Sequence, residues 1–259
     1  MNASTEILEH LESGVLTLTL NRPAKKNALT AAMYATLADA LNAAGTRPEV
    51  RVVVLQGSEQ VFTAGNDLQD FRDHPPEPGS EPPAPVYRFL EALRTFPKPL
   101  LAAVAGPAVG IGTTLLMHCD LVYAADNAAF SLPFVNLGLC PEAGSSVLLP
   151  ALVGWQRAAE KLLFGEAFYA DEALEMGLVN RIVPPQELHA VAQAQAARLA
   201  TRPQSALLAT KALMKRSHPA LREVMDAEFA QFGQMLRAPA CREALDAFQE
   251  KRKPDFTGM

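Results

Sequence analysis

Cysteine is scarce in this 259-residue chain. There are three, at positions 119, 140 and 241, odd in number and without a CxxC pair. That pattern fits neither a disulfide framework nor a structural zinc site, and it suits a reducing compartment. The five histidines show no metal-binding spacing, so no metal is expected. Positive charge is short as well: 23 Lys and Arg stand against 28 Asp and Glu, for a net charge of −5. Without a long basic run, nucleic acid and anionic membrane surfaces are poor candidates for a partner, although a local basic patch can still hold an anionic ligand. No apolar run reaches membrane-spanning length. Residues 1–6 lack the basic-then-apolar order of a signal peptide, and residues 256–259 carry no peroxisomal or ER address. The expectation is a soluble cytoplasmic protein.

What the chain does have is apolar content, 49% of its residues, enough for a sizeable core. Residues 15–20 alternate leucine with threonine, the mark of a half-buried strand. Thr30 is placed to cap an alanine-rich helix running towards Ala44. Residues 50–56, 99–105 and 121–125 read as buried strands, and the alternation of strand and helix predicts a mixed α/β core. Residues 73–85 are so rich in proline that a mobile surface loop is expected, either bordering a site or facing solvent. From about Pro185 the pattern becomes helical, over residues 187–199, 205–215, 221–236 and 241–251. An α/β core over residues 1–195 and a helical C-terminal region over 196–259 are therefore expected.

Two glycine-rich turns stand out. One is Phe62-Thr63-Ala64-Gly65-Asn66-Asp67, the other Ala105-Gly106-Pro107-Ala108-Val109-Gly110-Ile111-Gly112. Each joins a strand-like run to a helix-like one, where main-chain N–H groups are unpaired and can be aimed at developing negative charge. Taken singly, each turn serves equally well as a tight connection. The second is neither a Walker loop nor a GxGxxG fingerprint, so no nucleotide cofactor follows.

Together with Asn21-Arg22-Pro23, Asn27-Ala28-Leu29, Cys119-Asp120 and Gly177-Leu178-Val179, these turns resemble the crotonase (enoyl-CoA hydratase/isomerase) superfamily from about Val15 to Lys253. The resemblance implies a spiral of ββα units followed by a helical C-terminal region, assembled as a homotrimer or a dimer of trimers. It implies an acyl-CoA thioester substrate, with CoA entering as part of the substrate and no separate cofactor. The thioester oxygen would sit between the main-chain N–H groups of Asn66 and Ile111, with Ala64, Gly65 and Gly110 shaping the approach. Residues 111–118 would form a helix whose N-terminus adds a positive dipole end. Lys25, Lys26 and Asn27 fall where the family borders the CoA nucleotide, and Lys251 where it reaches a neighbouring subunit's CoA. Either set also reads as ordinary solvated charge.

The two glutamates of the family's hydratases would fall at Thr114 and Phe134, and neither is an acid. Threonine is no general base near neutral pH, and phenylalanine is inert. Glu142, in Leu139-Cys140-Pro141-Glu142-Ala143-Gly144-Ser145-Ser146, instead resembles the catalytic carboxylate of the Δ3,Δ2-enoyl-CoA isomerase branch. In that role it moves a proton from C2 to C4 of a 3-enoyl thioester, while apolar Phe134, Leu137 and Leu139 exclude water. Burial would raise its pKa and a nearby helix N-terminus would lower it. The short motif alone fits an exposed first-turn acid. The rival functions are another crotonase-type enolate reaction, such as hydration or isomerisation of a cyclic or aromatic acyl-CoA, and acyl-CoA binding without catalysis.

Overall fold

A computed structural model of the chain describes residues 6–73, 75–76, 79–81 and 83–259. Residues 1–5 of the N-terminal segment, and His74, Glu77, Pro78 and Pro82 of the proline-rich loop, lie outside the described residues. The chain opens with a hairpin of β1 (Ile7–Glu12) and β2 (Val15–Leu20). Its two-residue turn, Ser13-Gly14, has positive φ at both positions, the geometry whose twist matches the paired strands. Helix α1 (Ala31–Thr46) follows, and the Thr30 hydroxyl accepts from Met33 N–H as its expected cap.

The strands β3 (Val52–Gln56), β4 (Leu100–Val104), β6 (Leu121–Ala125) and β9 (Arg181–Val183) extend the hairpin into a six-stranded sheet, parallel from β2 onwards, in the order β1-β2-β3-β4-β6-β9. A second sheet is built from the short strands β5 (Pro107–Val109), β7 (Ala129–Ser131) and β8 (Phe168–Tyr169). β4 hands on to β5, and β6 to β7. After β3 the chain bridges Thr63 to Ala108 at the corresponding place, and Asn66 to Leu29, before helix α2 (Leu68–Asp73). These successive passes from large sheet to small sheet to helix are the expected ββα spiral.

The central strands β3, β4 and β6 are covered by apolar packing on both faces, which is why they read as near-continuous hydrophobic runs. Val53, Leu55, Leu100 and Ala102 face the main core, with α1 and helix α3 (Pro85–Thr95). Val52, Val54, Leu101 and Ala103 face Leu188, Ala192, Ala196 and Ala200 of helix α8 (Pro185–Ala200). That four-residue spacing is one face of one helix, so the sheet's cover runs unbroken through position 195. Phe62, Phe89, Phe130 and Phe168 are fully buried, each contributing roughly 2 kcal/mol of apolar burial.

The remaining helices are α4 (Ile111–Thr114), α5 (Ser145–Val153), α6 (Trp155–Phe164), α7 (Ala170–Glu175), α9 (Gln204–Met214), α10 (Leu221–Met235) and α11 (Pro239–Gln249). The helix expected over 111–118 is α for one turn only and continues as a 3-10 turn, Leu115–His118, so its dipole is smaller than expected. Among the described residues no helix is long and apolar enough to cross a membrane. The proline-rich segment is partly packed: Pro76 is buried, and Tyr87 Oη donates to its carbonyl at 3.5 Å.

Candidate active site

The two glycine turns lie side by side because their backbones pair. Thr63 N–H donates to Pro107 O at 2.9 Å, and Val109 N–H returns a bond to Thr63 O at 3.1 Å. Gly65 then passes so close to the second turn that a Cβ there would meet Val109 O at 2.8 Å, with φ at +89°. Only glycine fits both demands.

Within these turns the donors are sorted. Ala64, Gly65 and Asp67 N–H find acceptors in Lys26 O, Thr63 Oγ1 and Leu29 O, and Gly110 N–H finds Ser131 O. Among the described residues, the Asn66 and Ile111 N–H groups donate to no acceptor. Both residues line one cavity of about 670 Å³. Two free main-chain donors on one largely apolar cavity can hold a carbonyl oxygen and the negative charge that develops on it. Tyr34 Oη donates to Asn66 Oδ1, tying the first turn to α1.

Glu142 is not among the residues that line this cavity; it meets α4 one helical turn past Ile111, where Thr114 Oγ1 donates to Glu142 Oε1 at 2.5 Å. The carboxyl is buried, 7% exposed, and does not belong to the first turn of α5. Ala143 and Gly144 intervene in left-handed conformation, φ +59° and +74°, which turns the chain inward before the helix starts. Ala143 is an L-residue in a region it rarely occupies, and its surroundings hold it there. His118 Nε2–H donates to Ala143 O at 2.7 Å, while Ser145 N–H and Oγ donate to Glu142 O at 3.1 and 2.6 Å. Burial keeps His118 neutral, its pKa lowered to about 4.

Burial also pushes the Glu142 carboxyl up to about 8, against the hydrogen bond from Thr114 and with the help of the Glu228 charge. Desolvation therefore overrides any pull from the helix end. A carboxyl poised near neutral pH can both accept and return a proton. Burial and the charges of Glu142 and Asp70 raise Tyr34 well above the usual tyrosine range, so its hydroxyl stays protonated.

Among the other residues expected at the site, Lys25, Lys26, Ala64, Gly65, Gly110, Phe134 and Leu137 line the cavity. Asn27 does not. Its side chain is 1% exposed and is consumed within the loop, accepting from Arg22 N–H at 2.8 Å and donating to Phe62 O at 3.0 Å. It builds the loop that presents the two lysines. Lys251 is exposed past the end of α11 and is not on the cavity wall of its own chain. Asp67 lines the cavity but is held as a turn former. It accepts from Arg22 and from the Gln69 and Asp70 amides, and these bonds outweigh burial and keep its carboxyl below the usual range.

Sequence reasoning missed Tyr34, Glu228 and the cavity wall of Phe232, Leu245 and Phe248 from the helical tail. One signal was available for Glu228. It falls in the buried stripe of α10 with Met225 and Phe232, where an acid is out of place unless it has partners.

A sequence profile of the enoyl-CoA hydratase/isomerase family matches residues 10–259. The chain is 37% identical over 257 residues to the 1,2-epoxyphenylacetyl-CoA isomerase of Escherichia coli K12, with 97% of this chain and 98% of that protein covered. It is 39% identical over 217 residues to enoyl-CoA delta isomerase 2 of Rattus norvegicus, spanning 83% of this chain and 55% of the relative. Among solved structures, the enoyl-CoA hydratase/isomerase from Pseudoalteromonas atlantica T6c matches with a TM-score of 0.92 at 38% identity, over 98% of this chain and 100% of that one.

Proposed function

The chain belongs to the enoyl-CoA hydratase/isomerase family, and within that family we propose that it shifts the double bond of a 3-enoyl-CoA to the conjugated 2-enoyl-CoA. What supports this reading is the buried carboxyl of Glu142, bonded to Thr114 one helical turn past Ile111, together with the main-chain donors of Asn66 and Ile111, which are free among the described residues. Threonine and phenylalanine stand where the resemblance places the two hydratase acids. A double-bond shift needs one proton carrier, whereas the two-glutamate route to hydration needs a second acid to position water.

In this reading the thioester oxygen accepts from Asn66 N–H and Ile111 N–H. Ionised Glu142 takes the C2 proton, and the electron pair spreads into a dienolate whose charge rests on that oxygen. Protonated Glu142 then delivers the proton to C4, leaving the double bond between C2 and C3. Loss of one oxyanion donor would cost roughly 3 kcal/mol of transition-state stabilisation. Apolar Phe134, Leu137 and Leu139 on the cavity wall keep water from the dienolate. The reaction uses no cofactor. Lys25 and Lys26 are placed to meet CoA phosphate charge. A trimer, or a dimer of trimers, belongs to the same reading: Trp155, Leu163 and Phe164 on α6 and Tyr169 beside it are each more than 60% exposed, a face that assembly would cover.

A second reading is favoured by the end-to-end similarity to 1,2-epoxyphenylacetyl-CoA isomerase: isomerisation of a cyclic or aromatic acyl-CoA through the same enolate. Parallel assays separate the readings. A linear 3-enoyl-CoA is followed to the conjugated thioester, a 2-enoyl-CoA is scored for hydration, and a ring-bearing acyl-CoA is scored for isomerisation. Turnover of the linear substrate with little hydration supports the first reading. Turnover confined to the ring substrate supports the second, and hydration as the dominant activity overturns both.

A further inference from the structure

Helix α5 starts without a side-chain cap of its own, since its N-cap is Gly144. The missing acceptor comes from the helical tail. Glu228 of α10 reaches across 84 residues of sequence so that its Oε2 accepts from Gly144 N–H at 2.6 Å. Its Oε1 accepts from Ser146 N–H at 3.1 Å and from Ser146 Oγ at 2.5 Å. The side chain is 8% exposed. Three donors and no acceptor meet it, the pattern that suits an ionised carboxylate. The clamped residues begin two positions after Glu142.

We propose that Glu228 is a positioning residue for Glu142: it clamps the segment that carries the base, and its fixed negative charge opposes ionisation of that base. The proposal rests on Glu142 being the proton carrier. The surroundings of Glu142 leave Glu228 as the charged group that acts on it. Thr114 of α4 is a neutral donor, and the raised pKa of Tyr34 on α1 keeps it neutral. On the loop itself, burial raises the Cys140 thiol to about 11, and burial keeps His118, on the 3-10 turn that follows α4, neutral. A carboxylate held near a second carboxyl raises the pH at which the second ionises. The bonds to Gly144 and Ser146 keep that charge in place, so one side chain sets both where the base sits and when it is ionised.

Glu228→Gln removes the charge and turns an amide N–H₂ towards one of the donors. The expected result is an alkaline rise of kcat/KM that moves to lower pH by roughly half a unit or more, with kcat on the high-pH plateau reduced several-fold and KM little changed. Glu223→Gln, which removes an exposed acid from the same helix, is expected to leave the profile where it was. Titration of the Glu142 side-chain carboxyl by ¹³C NMR, assigned by its loss in Glu142→Gln, reads the same shift without any substrate. Should Glu228→Gln not fold, Glu228→Asp keeps the charge and shortens the reach. It is expected to lower kcat several-fold while leaving the midpoint near that of the parent. A folded Glu228→Gln with the parent's midpoint and kcat, or a Glu228→Asp with the parent's kcat, would overturn the proposal. Failure of the isomerase reading looks different: the parent then turns over no 3-enoyl-CoA at any pH, while the NMR titration still tests Glu228.

Discussion

Thr114 Oγ1 donates to Glu142 Oε1 at 2.5 Å, which ties the buried carboxyl to α4 one helical turn past Ile111. The bond favours the ionised carboxylate and opposes the rise that burial imposes. Thr114→Val keeps the shape and removes the donor. The alkaline rise of kcat/KM should move to higher pH, and kcat/KM at pH 7 should fall about tenfold. A pH–rate profile checks it, and an unmoved midpoint would remove Thr114 from the account.

The same carboxyl links activity and stability with opposite signs. Its ordinary value is 4.5 and its value in the fold is about 8. The base form is needed, so kcat/KM should climb with pH through about 8 and then level off. Between 4.5 and about 8 the folded state holds a proton that the unfolded chain has lost. This group's contribution to stability therefore falls as pH rises across that window. Glu142→Gln removes the penalty and should stabilise the fold by about 1–3 kcal/mol at pH 8, with less effect at pH 5. Urea unfolding at both pH values tests the difference, and equal stability changes would contradict burial as the cause.

Gly65 and Gly110 both have positive φ, yet their surroundings differ. A Cβ at Gly65 would strike Val109 O at 2.8 Å, whereas at Gly110 it would meet only Phe134 Cε1 at 4.0 Å. Gly65→Ala should therefore push the two turns apart and lower kcat at least about 100-fold, the scale of one lost oxyanion donor. Gly110→Ala should carry backbone strain of about 1–2 kcal/mol and a milder loss. Steady-state kinetics on both variants would reverse this order if the turns do not act together.

The exposed apolar face around α6 should be covered by further copies of the chain. Sedimentation of the parent is expected to show a trimer or its dimer, and Phe164→Asp should shift it towards monomer. A stable parent monomer would remove any role for Lys251 in a neighbouring subunit's site.

The two glycine turns were legible in the sequence because glycine, strand and helix signals sit within a few residues of each other, whereas the choice of Asn66 and Ile111 within them came from the family resemblance. The Thr30 cap was legible from local signals as well. Glu142 was legible as a position, but its burial was not. Burial depends on Ala143 and Gly144 turning left-handed and on Glu228, far along the chain, holding the segment that follows. Asn27 shows the converse. The family resemblance placed it with two lysines on the loop that borders the CoA nucleotide, but its amide is spent on Arg22 and Phe62 inside the loop. Strands β5, β7 and β8 span three residues at most, too short for alternation to register.

The central claim is that Glu142 carries the proton between C2 and C4. The most direct measurement follows formation of the conjugated 2-enoyl thioester from a 3-enoyl-CoA by the parent and by Glu142→Gln, at a pH above 8. The account predicts rapid isomerisation by the parent and a loss of at least about 1,000-fold in the variant, with substrate binding retained. Isomerisation that survives in Glu142→Gln would contradict it.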